Sequence, residues 1–196
     1  MISARRSSLV RHSFPRDHGV DARSSRHRAG KFWFRPLFAF FIIELGSRKV
    51  VSVGVTSNPS SIWVTQQLRN ATAFGIGPRF IIRDRDDKYG SDFDRAARGV
   101  GTRVLKTPVR APKANSFCER FLGSVRRECL DHVLVLGERH LFETLVEYVR
   151  HFDQGRTHQG LGQLVPAGSS MAAAGSGAVI ARPVLNGLHH DYRRAA

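Results

Sequence analysis

Seven consecutive apolar residues, Leu37-Phe38-Ala39-Phe40-Phe41-Ile42-Ile43, constrain this chain more than any other feature. The run is far short of the roughly 18 to 20 residues of a membrane-spanning helix. It is the right length for a β-strand. A strand with one wet face alternates apolar and polar residues; one without alternation is buried on both faces. Gly46 and Ser47 then turn the chain, and Val50, Val51, Val53 and Val55 form a second strand rich in β-branched residues. So short a turn makes the pair an antiparallel hairpin. A doubly buried strand needs a layer on each side of its sheet, and with the order of helices and strands that follows this leading hairpin the class is mixed α/β.

The residues that follow supply those layers. Asn58-Pro59-Ser60 is expected to open a helix, with Asn58 or Ser57 as cap and Pro59 in the first turn. Ile62, Trp63, Leu68 and Ala71 form its apolar side, and Gly75 and Gly77 close it. A short buried strand over Arg79 to Ile82 runs into Arg83-Asp84-Arg85-Asp86-Asp87. A helix over Asp92 to Arg98 and a strand over Thr102 to Leu105 come next. After a loop with Pro108 and Pro112, a long helix runs from Asn115 to about Asp131. Its apolar stripe is Cys118, Leu122, Val125 and Cys129, so the two cysteines read as buried thiols in a reducing compartment, not as a disulfide scaffold. A last helix, Glu138 to Asp153, turns Leu141, Leu145, Val149 and Phe152 inward.

Both ends differ from this body. Residues 1–36 are basic, and 1–30, rich in Arg and Ser, have no hydrophobic period; they predict a disordered or non-native segment. A phosphate-binding arm and a transit-like peptide are the competing readings, while a secretory signal lacks its apolar core. After Pro166 the chain is rich in Gly, Ala and Ser, so 167–196 reads as a disordered tail and 37–166 as the folded domain. The formal net charge of +15 over 196 residues points to a polyanion partner, most commonly nucleic acid. No segment is apolar enough for a membrane partner.

Two carboxylates stand out. Metal-dependent phosphoryl transfer needs carboxylates converging on hard cations such as Mg²⁺. Asp84 sits just past a buried strand, where a rigid sheet would fix it; a solvated acidic turn is the competing reading. Glu119 lies in the first turn of the long helix, beside the apolar stripe. Ser116-x-x-Glu119 is also a capping box, so Glu119 reads equally as cap or as metal ligand.

Four stretches, taken together, resemble the integrase core of bacterial insertion-sequence transposases. They are the hairpin Phe40 to Val50, the segment Arg83-Asp84-Arg85-Asp86, the segment Pro112 to Phe121, and Tyr148 to Leu161 with Asp153, Arg156 and His158. Asp84 and Glu119 stand 35 positions apart (84 to 119), a spacing typical of that family. In the last stretch Asp153 replaces the family's Asn and Thr157 its Pro. The resemblance implies a ribonuclease H-like mixed sheet flanked by helices and an Asp, Asp, Glu site binding two Mg²⁺ (or Mn²⁺). It also implies in-line polynucleotidyl transfer joining DNA ends to target DNA. Asp84 and Glu119 become the catalytic and metal-binding carboxylates. Arg85, Arg110, Lys113, Arg120, Arg127, Arg156 and His158 become contacts to DNA, with Arg120 and Arg127 sharing one helical face.

One element of the pattern is missing. The family's first Asp stands on its first, central strand, upstream of the hairpin. Here Asp17 and Asp21 lie in sequence that cannot form a buried strand. The expectation is therefore an N-terminally truncated copy whose central strand is missing or replaced, and whose strand transfer is lost. It would be bacterial, cytoplasmic and nucleoid-associated, and would bind transposon ends and target DNA, as a homo-oligomer or with an intact transposase. The alternatives are a catalytically silent nucleic-acid-binding or transposase-partner protein, and a basic RNA-associated protein on a similar fold.

Overall fold

The computed structural model describes residues 6–14 (as backbone), 36–73, 77–86, 88–107, 116–168 and 177–195. Its centre is a five-stranded sheet of order β3-β2-β1-β4-β5. The strands are β1 (Arg6–Phe14), β2 (Leu37–Glu44), β3 (Val50–Thr56), β4 (Phe80–Arg83) and β5 (Arg103–Lys106). β1 pairs antiparallel with β2 and parallel with β4; β4 and β5 are also parallel. Four helices accompany the sheet: α1 (Ser61–Ala71), α2 (Ser91–Gly99), α3 (Ser116–Glu128) and α4 (Glu138–Gln154). Among the described residues no helix is long and apolar enough to cross a membrane.

β2 explains the two-layer arrangement. Ala39, Phe41 and Ile43 pack with Phe121, Val125, Leu145 and Tyr148 of α3 and α4. The alternate residues Phe40 and Ile42 pack with Val64 and Leu68 of α1 and Phe93 and Ala97 of α2. Because side chains alternate across a strand, one apolar run serves two cores. Phe41 meets Phe121 edge-to-face at 5.0 Å on one side, and Phe40 meets Trp63 at 5.9 Å on the other. The hairpin turn is closed by Glu44 N–H donating to the Lys49 carbonyl, with Arg48 in the left-handed region at φ 66°.

Several boundaries and two larger expectations need correction. The cap of α1 is Ser60, whose hydroxyl accepts from Trp63 N–H at 3.2 Å, so Pro59 precedes the helix. Ile62 points to solvent, and Val64, Thr65 and Leu68 make the buried side. At its end Thr72 caps the helix by donating its hydroxyl to the Leu68 carbonyl; Gly75 lies outside the described residues. The expected disorder of 1–36 does not hold for Arg6–Phe14. This stretch is the central strand, placed upstream of the sequence where that strand was sought. A central strand is held by backbone pairing on both edges, which no side-chain pattern reveals.

The expected tail disorder does not hold for residues 177–195 either. β6 (Val179–Val184) and β7 (His189–Arg194) form a hairpin. Asn186-Gly187 at its turn, both at positive φ, is a strong short-range hairpin signal that the Gly, Ala and Ser composition masked. Val184 and Leu185 join the α3/α4 core. Leu185 N–H donates to Glu147, and His151 Nδ1 meets Asp191 Oδ1 at 2.6 Å.

Candidate functional site

Asp84 follows β4 directly. Arg83, the last strand residue, is 3% exposed and clamps this strand end. Its guanidinium binds Asp94 of α2 at 2.9 and 3.2 Å, donates to the Asp84 carbonyl at 3.0 Å, and lies over the rings of Tyr89 and Phe93. Arg83 is thus a structural ion pair and is not available to a nucleic acid. Beyond it, Asp84 Oδ1 accepts the Asp86 N–H at 3.2 Å, and Asp86 Oδ1 accepts the Lys88 N–H at 2.9 Å. These two Asx-type turns fold the acidic loop back on itself. Arg85 is exposed and donates to the Thr107 carbonyl at 3.1 Å, tying the ends of β4 and β5 together.

β4 and β5 end at the same edge of the sheet. The chain leaves β5 there and, after 107–115, enters α3, whose first turn carries Glu119. Glu119 is exposed, next to the fully buried Cys118. Ser116 is the first described residue of α3; the residues before it, Arg110 and Lys113 among them, lie outside the described residues.

The third carboxylate is not on β1, whose sequence Arg-Ser-Ser-Leu-Val-Arg-His-Ser-Phe holds no acid. The parallel register pairs Arg6 with Phe80 and Ser8 with Ile82. Carried forward two residues, it puts Val10 level with Asp84. Asp17 and Asp21 fall outside the described residues. Among the described residues no group of three or more His, Cys, Asp and Glu side chains could hold a metal ion. Asp84 and Glu119 offer the hard oxygen ligands that Mg²⁺ takes. As a pair they fall one carboxylate short of the expected set and do not fit a two-ion site.

A different feature gathers the basic residues. A cleft of about 430 Å³ opens between α3, the β2–β3 turn and the segment 156–163. Its walls carry Arg48, Arg120, Arg127, Arg156 and His158, and its floor carries Phe117, Phe121 and Phe152. The structure therefore brings four of the sequence-predicted residues together: Arg120, Arg127, Arg156 and His158. It adds Arg48, which sequence reasoning missed because a turn Arg looks like any solvated cation. Arg48 and Arg120 both lie over the Phe117 ring, at 3.7 and 4.9 Å. The Arg48 guanidinium is held below its usual range by burial first and by the Arg120 charge second.

Arg156 is the one neutralised arginine of the cleft. It binds Glu128 at 2.7 Å, and Tyr148 donates its hydroxyl to the other Glu128 oxygen at 2.8 Å. Burial, then the Glu128 charge, push that hydroxyl's pKa up. His158 Nδ1 lies 3.5 Å from Arg156 Nη1, and its Nε2 lies 3.3 Å from the Phe152 carbonyl. Arg can only donate, so Nδ1 accepts and Nε2 carries the proton. Burial chiefly, with Arg156 and Arg48 adding to it, lowers the His158 pKa and keeps the ring neutral.

A five-stranded β3-β2-β1-β4-β5 sheet with two antiparallel and two parallel pairings, helices packed on both faces and an acid just past β4 defines the ribonuclease H-like class. Residues 100–166 match the family model described as integrase core domain. The chain is 25% identical over 127 residues to an insertion element IS476 uncharacterized 39.2 kDa protein of Xanthomonas euvesicatoria, covering 64% of this chain and 37% of that protein. It is 22% identical over 127 residues to an insertion element IS407 uncharacterized 31.7 kDa protein of Burkholderia multivorans, covering 64% and 46%. The chain thus spans less than half the length of these curated relatives.

Its fold is similar to the HTLV-2 integrase catalytic core domain in complex with magnesium (TM-score 0.59, 10% identity, 84% of this chain and 94% of that one). It is also similar to a chain of the simian T-cell lymphotropic virus intasome in complex with PP2A regulatory subunit B56 gamma (TM-score 0.61, 13% identity, 98% and 67%). The resemblance to the integrase core of insertion-sequence transposases, first read from four short segments, is borne out, and so is the ribonuclease H-like fold.

Proposed function

We propose that this chain is a DNA-binding integrase-core protein of an insertion element, degenerate in strand transfer. The observation that carries the reading is the central strand: β1 brings no acid to the level of Asp84, so Asp84 and Glu119 stand as two carboxylates of a set of three. Mg²⁺ or Mn²⁺ would supply charge neutralisation at the transferring phosphate when bound between such carboxylates. With two ligands it is held loosely, and an in-line displacement depends on position within a fraction of an ångström. Asp84 and Glu119 are the residual catalytic pair. Arg85, Arg110 and Lys113, close to these acids along the chain, and Arg120, Arg127, Arg156 and His158 are the chain's contacts to DNA. The net charge of +15 supports the same partner, and the likeness to intasome and dimeric core structures supports assembly with further copies or with an intact transposase.

The test is a strand-transfer assay with Mg²⁺ or Mn²⁺ on labelled DNA ends, beside a binding measurement on the same DNA. DNA binding that persists in Asp84→Asn and Glu119→Gln, with no joining by the parent chain, is the expected result. Efficient joining that both substitutions abolish would overturn the degenerate reading and leave an active transposase core.

A further inference from the structure

Neither Asp84 nor Glu119 lines the arginine cleft. At 100° per residue, Glu119 points about 100° from Arg120, about 140° from Ser124 and about 80° from Arg127, all of which line the cleft. A group held in the cleft is therefore held by side chains other than these carboxylates. Among the described residues no Asp or Glu side chain lines the cleft. Arg156 has Glu128, but Arg48, Arg120 and Arg127 have no carboxylate partner among the described residues, and Arg48 Nε is buried without an acceptor. Arg48 is half-buried beside the exposed Arg120 and Arg127, and guanidiniums that share a concave wall without a counter-charge repel one another. An anion in their midst removes that penalty. Planar guanidinium forks match the oxygens of a phosphate, which makes Arg the usual residue for that group. The aromatic floor excludes water from one side and strengthens each contact.

We propose that this cleft is a second phosphate site, gripping the phosphate of a nucleic-acid strand at a place that neither Asp84 nor Glu119 lines, with Arg48, Arg120 and Arg127 as its ligands. The proposal rests on the DNA-binding reading above and locates a contact within it. Phe117 holds Arg48 and Arg120 in place by stacking, and the Glu128–Arg156 pair fixes the opposite wall. The neutral His158 adds no charge of its own. The same chemistry would accept a free phosphate or a nucleoside polyphosphate, so the two sources need separate arms.

The experiment compares the parent chain with Arg48→Gln, Arg127→Gln, the double substitution, and Arg95→Gln as a control on exposed α2. Fluorescence anisotropy reports affinity for labelled single-stranded and duplex DNA across a salt series. Thermal melting with inorganic phosphate or ATP reports free anions, and melting without ligand confirms folding. Each cleft substitution is expected to weaken DNA binding about three- to tenfold. Each should also flatten the logarithmic salt dependence by about 0.7 to 0.9 per arginine, while Arg95→Gln changes neither. Arg127 is exposed, so its variant stays informative should Arg48→Gln unfold. A melting shift with phosphate or ATP that the substitutions remove, without an effect on DNA, would keep the anion site and replace the strand by a free phosphate compound. DNA binding that is intact and indifferent to both substitutions, with no anion shift, overturns the cleft alone. A parent chain that binds no DNA sinks the DNA-binding reading, and the anion arm then decides the cleft.

Discussion

Asp153 is a carboxylate in an apolar place. It is 6% exposed near the end of α4, and its Oδ1 accepts the Val50 N–H at 3.1 Å. Burial pushes its pKa up to about 6, against the opposing pull of that hydrogen bond and of Lys49. The folded chain therefore holds the Asp153 proton more tightly than the unfolded chain. The associated stability is fully present below the ordinary carboxylate value, near pH 4, and is lost as pH rises through about 6. At neutral pH this costs at most about 3 kcal/mol. Asp153→Asn keeps an acceptor for Val50 and removes the charge. It should raise the melting temperature by several degrees at pH 7.5 and leave it nearly unchanged at pH 4, in a comparison of the two proteins across that range. A variant less stable than the parent at pH 7.5 would refute the burial argument. Arg83 is the opposite case, a buried charge with its partner in place. Asp94→Ala strands the guanidinium and should cost about 3 kcal/mol in denaturant unfolding, a larger loss than removing the exposed Arg95–Asp92 pair.

At the scale of elements, β2 and the β6–β7 hairpin mark the two extremes of what a sequence discloses. The unbroken apolar run announced β2, because a strand lacking alternation has nowhere to go but between two layers. Phe41→Ala should cost about 3 to 5 kcal/mol, since Phe41 is fully buried and packs on Phe121; equilibrium unfolding measures this directly. The hairpin carries little apolar content and leaves Val179, Ile180 and Tyr192 exposed. Val184 and Leu185 at its turn reach the α3/α4 core, and polar contacts to α3 and α4 hold the rest. His189 stacks on His151 at 4.8 Å and lies 2.7 Å from the Glu128 carbonyl, and His151 meets Asp191. Such contacts join residues some 40 to 60 positions apart, which a local reading cannot pair. Asp191→Ala should free the hairpin while α1, α2 and the sheet stay folded. Amide exchange over 179–194 should then accelerate, with the main thermal transition shifted little.

For the whole molecule, the order β3-β2-β1-β4-β5 sets β4 between β1 and β5, so that Asp84 follows a strand paired on both sides. Local sequence was enough for the hairpin, the amphipathic stripes of α3 and α4, the acid at the end of β4 and the basic charge, since each depends on neighbours a few residues apart. The likeness to integrase cores followed from the order and spacing of four such segments. Tertiary structure decided the rest. It made Arg6–Phe14 the central strand, through backbone pairing to β2 and β4 that its side chains do not advertise. It set Arg120 and Arg127 of α3 against the segment carrying Arg156 and His158. It also drew Arg48, from a turn more than seventy positions before Arg120, into their company. Periodicity and spacing are written along the chain, but which charges share a cleft depends on how distant elements pack, and only the folded sheet and its helices determine that.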